Sequence, residues 1–183
     1  MRIIAGAFKG LNLYSFKEGN IRPTADKVRQ AVFNSLQFSI AGSSFFYLFA
    51  GTGGISLEAM SRGARVVTVE KDNRSLRLIK KNFAKAKAES NLYAMDYMQA
   101  IKKLQKEGRQ FDTIYVDPPF DSDFLEKALA GIVKHNLLKA EGLIICEHEE
   151  HQQFSLPSNL AVKNQKRYGS IMLTYLILKD NHV

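Results

Sequence analysis

Residues Tyr115–Phe120, YVDPPF, end an apolar run in Asp-Pro-Pro-Phe, and that corner limits what this chain can fold into. Neither proline has an N–H to donate, so neither can continue a central sheet ladder. The run before them reads as a buried strand that stops abruptly, with the Asp117 carboxylate and the Pro118 carbonyl held at its C-terminal end. A second apolar run, in Ser44–Gly54, breaks into the turn Phe49-Ala50-Gly51-Thr52-Gly53-Gly54. In an open α/β sheet, ligands bind just beyond the C-terminal ends of the strands. The two ends are therefore expected to face each other across one pocket.

The rest of the chain supplies the sheet. Strands are predicted at Phe45–Phe49, Arg65–Val69, Leu92–Met95, Phe111–Val116 and Gly142–Cys146, and helices at Gly54–Arg62, Ser75–Lys87, Tyr97–Lys106 and Asp123–His135. Parallel strands need long crossovers, which this alternation provides. Leu160–Lys163 and Ile171–Leu178 have no helix between them and read as an antiparallel pair turned near Tyr168-Gly169. Residues 2–14 read as a small hairpin around Gly6 and Gly10. A helix from Thr24 then places Val28, Ala31, Val32 and Leu36 on one stripe, with Lys27 and Arg29 off it. The expected fold is α/β and Rossmann-like, a seven-stranded, mostly parallel sheet with a C-terminal antiparallel hairpin. Residues 1–40 form an N-terminal hairpin-and-helix extension, and 41–183 the main domain. Five wound strands plus a terminal hairpin is the architecture of class I S-adenosylmethionine-dependent methyltransferases.

The chain carries 26 Lys plus Arg against 18 Asp plus Glu, a net charge of +8, which favours a polyanionic partner. No apolar run approaches the roughly 18 residues of a membrane span. The N-terminal MRIIAGAFKG lacks the pattern of a signal peptide. The expectation is a cytoplasmic monomer. Cys146, the only cysteine, lies in the apolar run GLIIC and reads as a buried, inert thiol.

The glycine turn follows a strand and opens a helix, the context that gives such a turn meaning. Glu70 ends the next strand, where a carboxylate can accept hydrogen bonds from ribose hydroxyls. Asp96 ends the third and can meet an adenine amino group. Ser56 stands where a dinucleotide fold has its third glycine, which disfavours a pyrophosphate cofactor. At the proline corner, two acceptors converge on a small volume, and Phe120 can stack on a planar base. An exocyclic base amine is a poor nucleophile because its lone pair is delocalised into the ring. Acceptors on its hydrogens localise that pair, so catalysis there would be positioning and electrostatics.

With these motifs, the chain closely resembles the RsmD family of small-subunit ribosomal RNA methyltransferases, which make N2-methylguanosine in 16S rRNA. The likeness runs through MRIIAGAFKG, RPTADKVRQAVFNSL at Arg22–Leu36, LFAGTGGISLEAMSRGA at Leu48–Ala64, VEKD at Val69–Asp72, VDPPF at Val116–Phe120 and YGSIMLTY at Tyr168–Tyr175. It implies S-adenosylmethionine as donor and the small ribosomal subunit as partner. It also implies Asp117, Pro118, Pro119 and Phe120 at the target base, and Phe49, Ala50, Gly51, Gly53, Glu70 and Asp96 at the cofactor. The Arg22–Arg29 stretch resembles the family's segment beside the active-site mouth. Two positions depart from the pattern. Tyr47 stands where the family usually has an Asp that orders the glycine loop, which implies weaker cofactor binding unless another acid compensates. Phe120 stands where many relatives have Tyr.

Arg2, Lys9, Arg22, Lys27 and Arg29 are the candidate phosphate contacts. The lysines at 80, 81, 85 and 87 are expected on a helix flanking the sheet. His148 and His151 fall among glutamates and read as a solvated acidic loop, so no metal site is expected. Three other readings compete. A DNA adenine-N6 or cytosine-N4 methyltransferase would use the same corner. A nicotinamide-dependent oxidoreductase leaves that corner unexplained. A non-catalytic RNA-binding assembly factor would have kept only the fold.

Overall fold

The computed structural model describes residues 1–16, 23–89, 91–120 and 122–179. Its elements are α1 (Pro23–Ser35), β1 (Ser44–Leu48), α2 (Gly54–Ser61), β2 (Arg65–Glu70), α3 (Asn73–Ala86), β3 (Asn91–Ala94), α4 (Tyr97–Lys106), β4 (Phe111–Val116), α5 (Phe124–Lys134), β5 (Leu138–Glu149), β6 (Leu160–Tyr168) and β7 (Ile171–Leu178). The strands form one sheet in the order β3-β2-β1-β4-β5-β7-β6. β1 pairs in parallel with both β2 and β4, so the winding reverses between β1 and β4. That reversal opens a crevice where their C-terminal ends diverge.

Side-chain alternation along β1 sends Phe45 and Tyr47 to one face and Phe46 and Leu48 to the other. The first face packs against α1 through Val28, Val32 and Phe33, against Leu36 just beyond it, and against α3 through Ile79 and Phe83. The second packs against Ile101 and Leu104 of α4 and Leu125, Leu129 and Ile132 of α5. Pro23 suits the first turn of α1, where its missing N–H costs nothing. Asp72 and Asp96 cap α3 and α4, accepting from Ser75 N at 2.7 Å and Met98 N at 2.9 Å.

The N-terminal residues share this core. Ile3 and Leu13 are buried with α1, and Leu13 N donates to the Met1 carbonyl at 2.8 Å in a hairpin-like loop. The loop is held by α2. Glu58, fully buried, accepts from the amides of Ile4 and Ala5 at 2.8 and 3.1 Å and pairs with Arg62 at 2.9 Å. Gly6 has φ +83°, and a Cβ there would stand 1.8 Å from the Ser61 carbonyl oxygen, so only glycine fits.

Three stretches differ from the sequence reading. β5 runs on through Glu147, His148 and Glu149 because antiparallel β7 covers them, pairing Glu147 with Leu173 and His148 with Met172. His148 is therefore a buried strand residue, not part of a solvated loop, with ring nitrogens on the Glu149 carbonyl at 2.8 Å and Thr174 Oγ1 at 2.9 Å. β6 extends to Tyr168 as an edge strand whose exposed Lys163, Lys166 and Arg167 carry no apolar signal. Arg29 is the third: it is only 4% exposed, with Nη2 donating to the Arg2 carbonyl at 2.6 Å and paired with Asp26 at 3.1 Å. Asp26 of α1 pairs with it and the Glu58 charge of α2 acts from nearby, while its Nε and Nη1 stay without a partner; helical periodicity reveals none of this.

Candidate active site

A cavity of about 440 Å³ opens at the β1/β4 reversal, lined by Phe49, Gly51, Glu70, Lys71, Asp72, Met95, Tyr97, Asp117, Pro118, Pro119, Phe120 and Phe124 among others. The glycine turn and the proline corner thus meet at one pocket, as their positions at the ends of adjacent parallel strands require.

On the glycine side, the Glu70 carboxylate binds three backbone amides. Its Oε2 accepts from Gly51 N at 2.9 Å, and its Oε1 from Lys71 N and Asp72 N at 2.8 Å each. One acid therefore fixes the loop and the start of α3 together. Asn82 adds a second tie, donating to the Thr52 carbonyl at 2.9 Å and to the Tyr14 carbonyl at 3.1 Å. Gly51 lines the pocket; Ala50 is buried behind it. Gly53, at φ +75°, lies against Ile79 and Phe83, so it brings α2 close to α3 rather than lining the cavity.

Phe49 has φ +63°, a left-handed conformation rare for a bulky residue. It turns the ring onto Phe124, stacked at 6.0 Å, and Tyr97, tilted at 4.9 Å. These three rings make an apolar wall suited to a flat base. Asp96 caps α4 and faces Lys71 Nζ at 3.7 Å; its neighbours Met95 and Tyr97 line the cavity, and it does not. Sequence reasoning missed Tyr97, Phe124 and Lys71, which the α/β winding brings in from α4, α5 and the β2–α3 connection.

On the other side, Pro118 is buried, Pro119 is exposed, and Phe120 is 39% exposed at the mouth. The Pro119 carbonyl accepts from Ser122 Oγ at 2.6 Å, which pins the turn. Asp117 points toward Tyr47, whose hydroxyl lies 3.5 Å from Oδ2. Beside it on β5, Glu147 accepts from the Tyr115 hydroxyl at 2.5 Å. Tyr47 and Tyr115 meet edge to face at 5.3 Å. Burial, then the neighbouring Glu147 charge, push the Asp117 carboxyl well above the usual carboxylate range, and burial raises Glu147 as well. Both tyrosine hydroxyls are pushed up by burial and by these acids. Cys146 is buried beside this cluster on the opposite face, its thiol raised by burial.

Of the candidate phosphate contacts, Arg2, Lys9 and Lys27 are exposed. Arg2 and Lys9 line a groove of about 670 Å³ with Gly10, Asp26, Arg29 and Gln30. Arg22 lies outside the described residues. The basic face of α3 is partly covered by the N-terminal segment: Lys85 Nζ donates to the Asn12 carbonyl at 2.6 Å, and the Arg74 guanidinium lies 4.9 Å from the Phe16 ring. No group of three His, Cys, Asp or Glu suited to a metal occurs among the described residues. No helix among them is long and apolar enough to cross a membrane.

The chain matches the family described as "Conserved hypothetical protein 95" over residues 1–177. It is 32% identical to the "Ribosomal RNA small subunit methyltransferase D" of Haemophilus influenzae, covering 93% of this chain and 90% of that one. To the Escherichia coli K12 protein of the same name it is also 32% identical, over 93% and 86%. Among solved structures it resembles a hypothetical protein of Thermus thermophilus, with TM-score 0.83, 27% identity, and coverage of 98% and 99%.

Proposed function

The chain belongs to the conserved hypothetical protein 95 family, the RsmD family, and we propose that it methylates the exocyclic N2 amine of a guanine in small-subunit ribosomal RNA. The sheet is the class I methyltransferase fold. One observation carries the reading: the Glu70-fixed glycine loop and the Asp-Pro-Pro-Phe corner line the same cavity.

The donor set suits S-adenosylmethionine. An anionic Glu70, an apolar wall of Phe49, Tyr97 and Phe124, and the carboxyl of Asp117 match a ribose, a flat base and a cationic centre in turn. The chemistry that S-adenosylmethionine supplies when bound is an electrophilic sulfonium methyl, whose S–C bond breaks toward sulfur as the N–C bond forms. Glu70 and Gly51 hold and orient the nucleoside end. Phe120 stacks on the target base at the mouth. Asp117 and the Pro118 carbonyl accept the amine hydrogens and so localise its lone pair. After transfer the nitrogen carries one proton too many, and Asp117 is the acceptor within the pocket.

The described part of residues 1–40, with exposed Arg2, Lys9 and Lys27, forms the RNA side of the protein, with exposed Arg74 and Arg77 of α3 continuing the basic surface. The protein works in the cytoplasm as a monomer on small subunits. Labelled methyl transfer to small subunits, naked 16S rRNA and duplex DNA, followed by nucleoside analysis, tests this. N2-methylguanosine in the ribosomal substrates is the expected product; methylated adenine or cytosine in DNA, or no transfer at all, contradicts it.

A further inference from the structure

Behind the pocket lies a second carboxyl that amine positioning does not use. Val116 and Cys146 are register partners across β4 and β5, so Asp117 and Glu147 follow side by side in parallel strands and point to the same face. Tyr115, on that face of β4, holds Glu147 at 2.5 Å, and Tyr47, on β1, reaches Asp117 at 3.5 Å. Leu173 of β7 lies opposite Glu147 and closes the far side with an apolar side chain. The pocket is thus floored by two acids and two phenols on three adjacent strands, with only Asp117 lining the cavity.

We propose that Glu147 is a positioning residue for methyl transfer, sharing one proton with Asp117 across the β4–β5 junction. This rests on the methyltransferase reading. Two adjacent carboxyls, each only partly exposed, cannot both ionise cheaply, so the pair carries one proton and one charge. A cation bound in the pocket draws the charge to Asp117 and leaves the proton on Glu147. The amine then meets a carboxylate. As the N–C bond forms and the S–C bond breaks, the sulfur keeps the electron pair and the amine gives one proton to Asp117. The pair is then neutral and returns that proton to water when product leaves. The titratable groups facing the pair are Tyr47 from β1 and Tyr115 from β4; Glu70 of β2 acts on Tyr47.

Two measurements separate this from the parent reading. Carbon-13 NMR of labelled carboxyls in the free protein needs no activity. It should show Asp117 titrating in two coupled steps, which Glu147→Gln collapses to one step at least one pH unit lower. In single-turnover transfer, the same variant should move the acid limb of the pH–rate profile at least one pH unit lower. Its rate on the plateau should fall about tenfold, with cofactor affinity within about threefold of the wild type. Tyr115→Phe, which keeps the ring packing, should give a smaller shift in the same direction and serves if Glu147→Gln folds poorly. Asp117 titration and an acid limb unchanged in both variants would overturn the proposal even with methyl transfer intact. A protein that transfers no methyl group, yet shows the coupled titration, would instead overturn the parent reading.

Discussion

The Tyr47 hydroxyl lies 3.5 Å from Oδ2 of Asp117, at the long end of hydrogen bonding. It is the one side-chain hydrogen bond that favours the charged form of this otherwise raised carboxyl. A tyrosine in β1 thus acts on the acid at the end of β4, while Glu70 orders the glycine loop. Removing the hydroxyl should raise the Asp117 carboxyl further. Tyr47→Phe is expected to slow methyl transfer about fivefold near pH 6, roughly the worth of one hydrogen bond, and to recover at high pH. A uniform loss at every pH would argue against it.

Cofactor affinity should depend on pH through Asp117. Its carboxyl is raised in the free protein by burial and by Glu147. A bound cation favours the ionised form, so at pH values where the free Asp117–Glu147 pair still holds both protons binding expels one and tightens as pH rises, by at most about tenfold per pH unit, whereas a pair already down to one proton only moves it onto Glu147. Calorimetry in buffers of different ionisation enthalpy reads the proton directly. Asp117→Asn should release none, and an equal affinity for the wild type at about pH 6 and about pH 8 would remove the linkage.

The same acid should cost stability at high pH. The folded chain holds the Asp117 proton more tightly than the unfolded chain, whose carboxyl titrates near pH 3.9. Its stabilising contribution is therefore complete below that value and is lost as pH rises toward the folded value. Thermal melts should show Asp117→Asn stabilised at about pH 8 and much less at about pH 5. Each kcal/mol regained is about 2–4 °C in a chain of this size. Stabilisation that is larger at low pH would reverse the sign and refute the assignment.

Glu70→Gln tests the loop. Glutamine keeps one acceptor, where the carboxylate now serves three amides. Charged hydrogen bonds of this kind are worth about 1.5–3 kcal/mol, so affinity for S-adenosylmethionine and for its demethylated product should fall roughly 10- to 100-fold. The rate at saturating cofactor should stay within about threefold. Unchanged affinity would show that the loop does not depend on this acid.

Charge reversal at Lys9 and Lys27, both exposed, should weaken RNA binding and lower its salt slope by roughly one per lost phosphate contact. Arg29 is unsuitable for this test because it is buried in the fold. An unaltered slope would place the RNA on another face.

The sequence made the site legible where local chemistry decides it. Two prolines after Asp117 and the glycines after Phe49 mark strand ends by themselves, and five strands alternating with helices bring those ends together. What escaped depends on long-range pairing. Glu147-His148-Glu149 is polar enough to look like loop until β7 pairs alongside it. Glu147 follows directly on the apolar run GLIIC, level with Asp117 once β4 and β5 are taken as parallel neighbours, and that signal was available. The aromatic wall was harder to find, because Phe49, Tyr97 and Phe124 are far apart in the chain and meet only around the sheet's reversal. The burial of Arg29 likewise depends on Asp26 and on Glu58 of another helix.

The most direct test is single-turnover methyl transfer to small subunits by the wild type and Asp117→Ala, with S-adenosylmethionine affinity measured on the same preparations. If amine and methyl meet at the ends of β1 and β4, transfer should drop at least about a hundredfold while affinity changes less than about tenfold. Transfer retained within a few-fold, or a loss accounted for wholly by weaker cofactor binding, would contradict it.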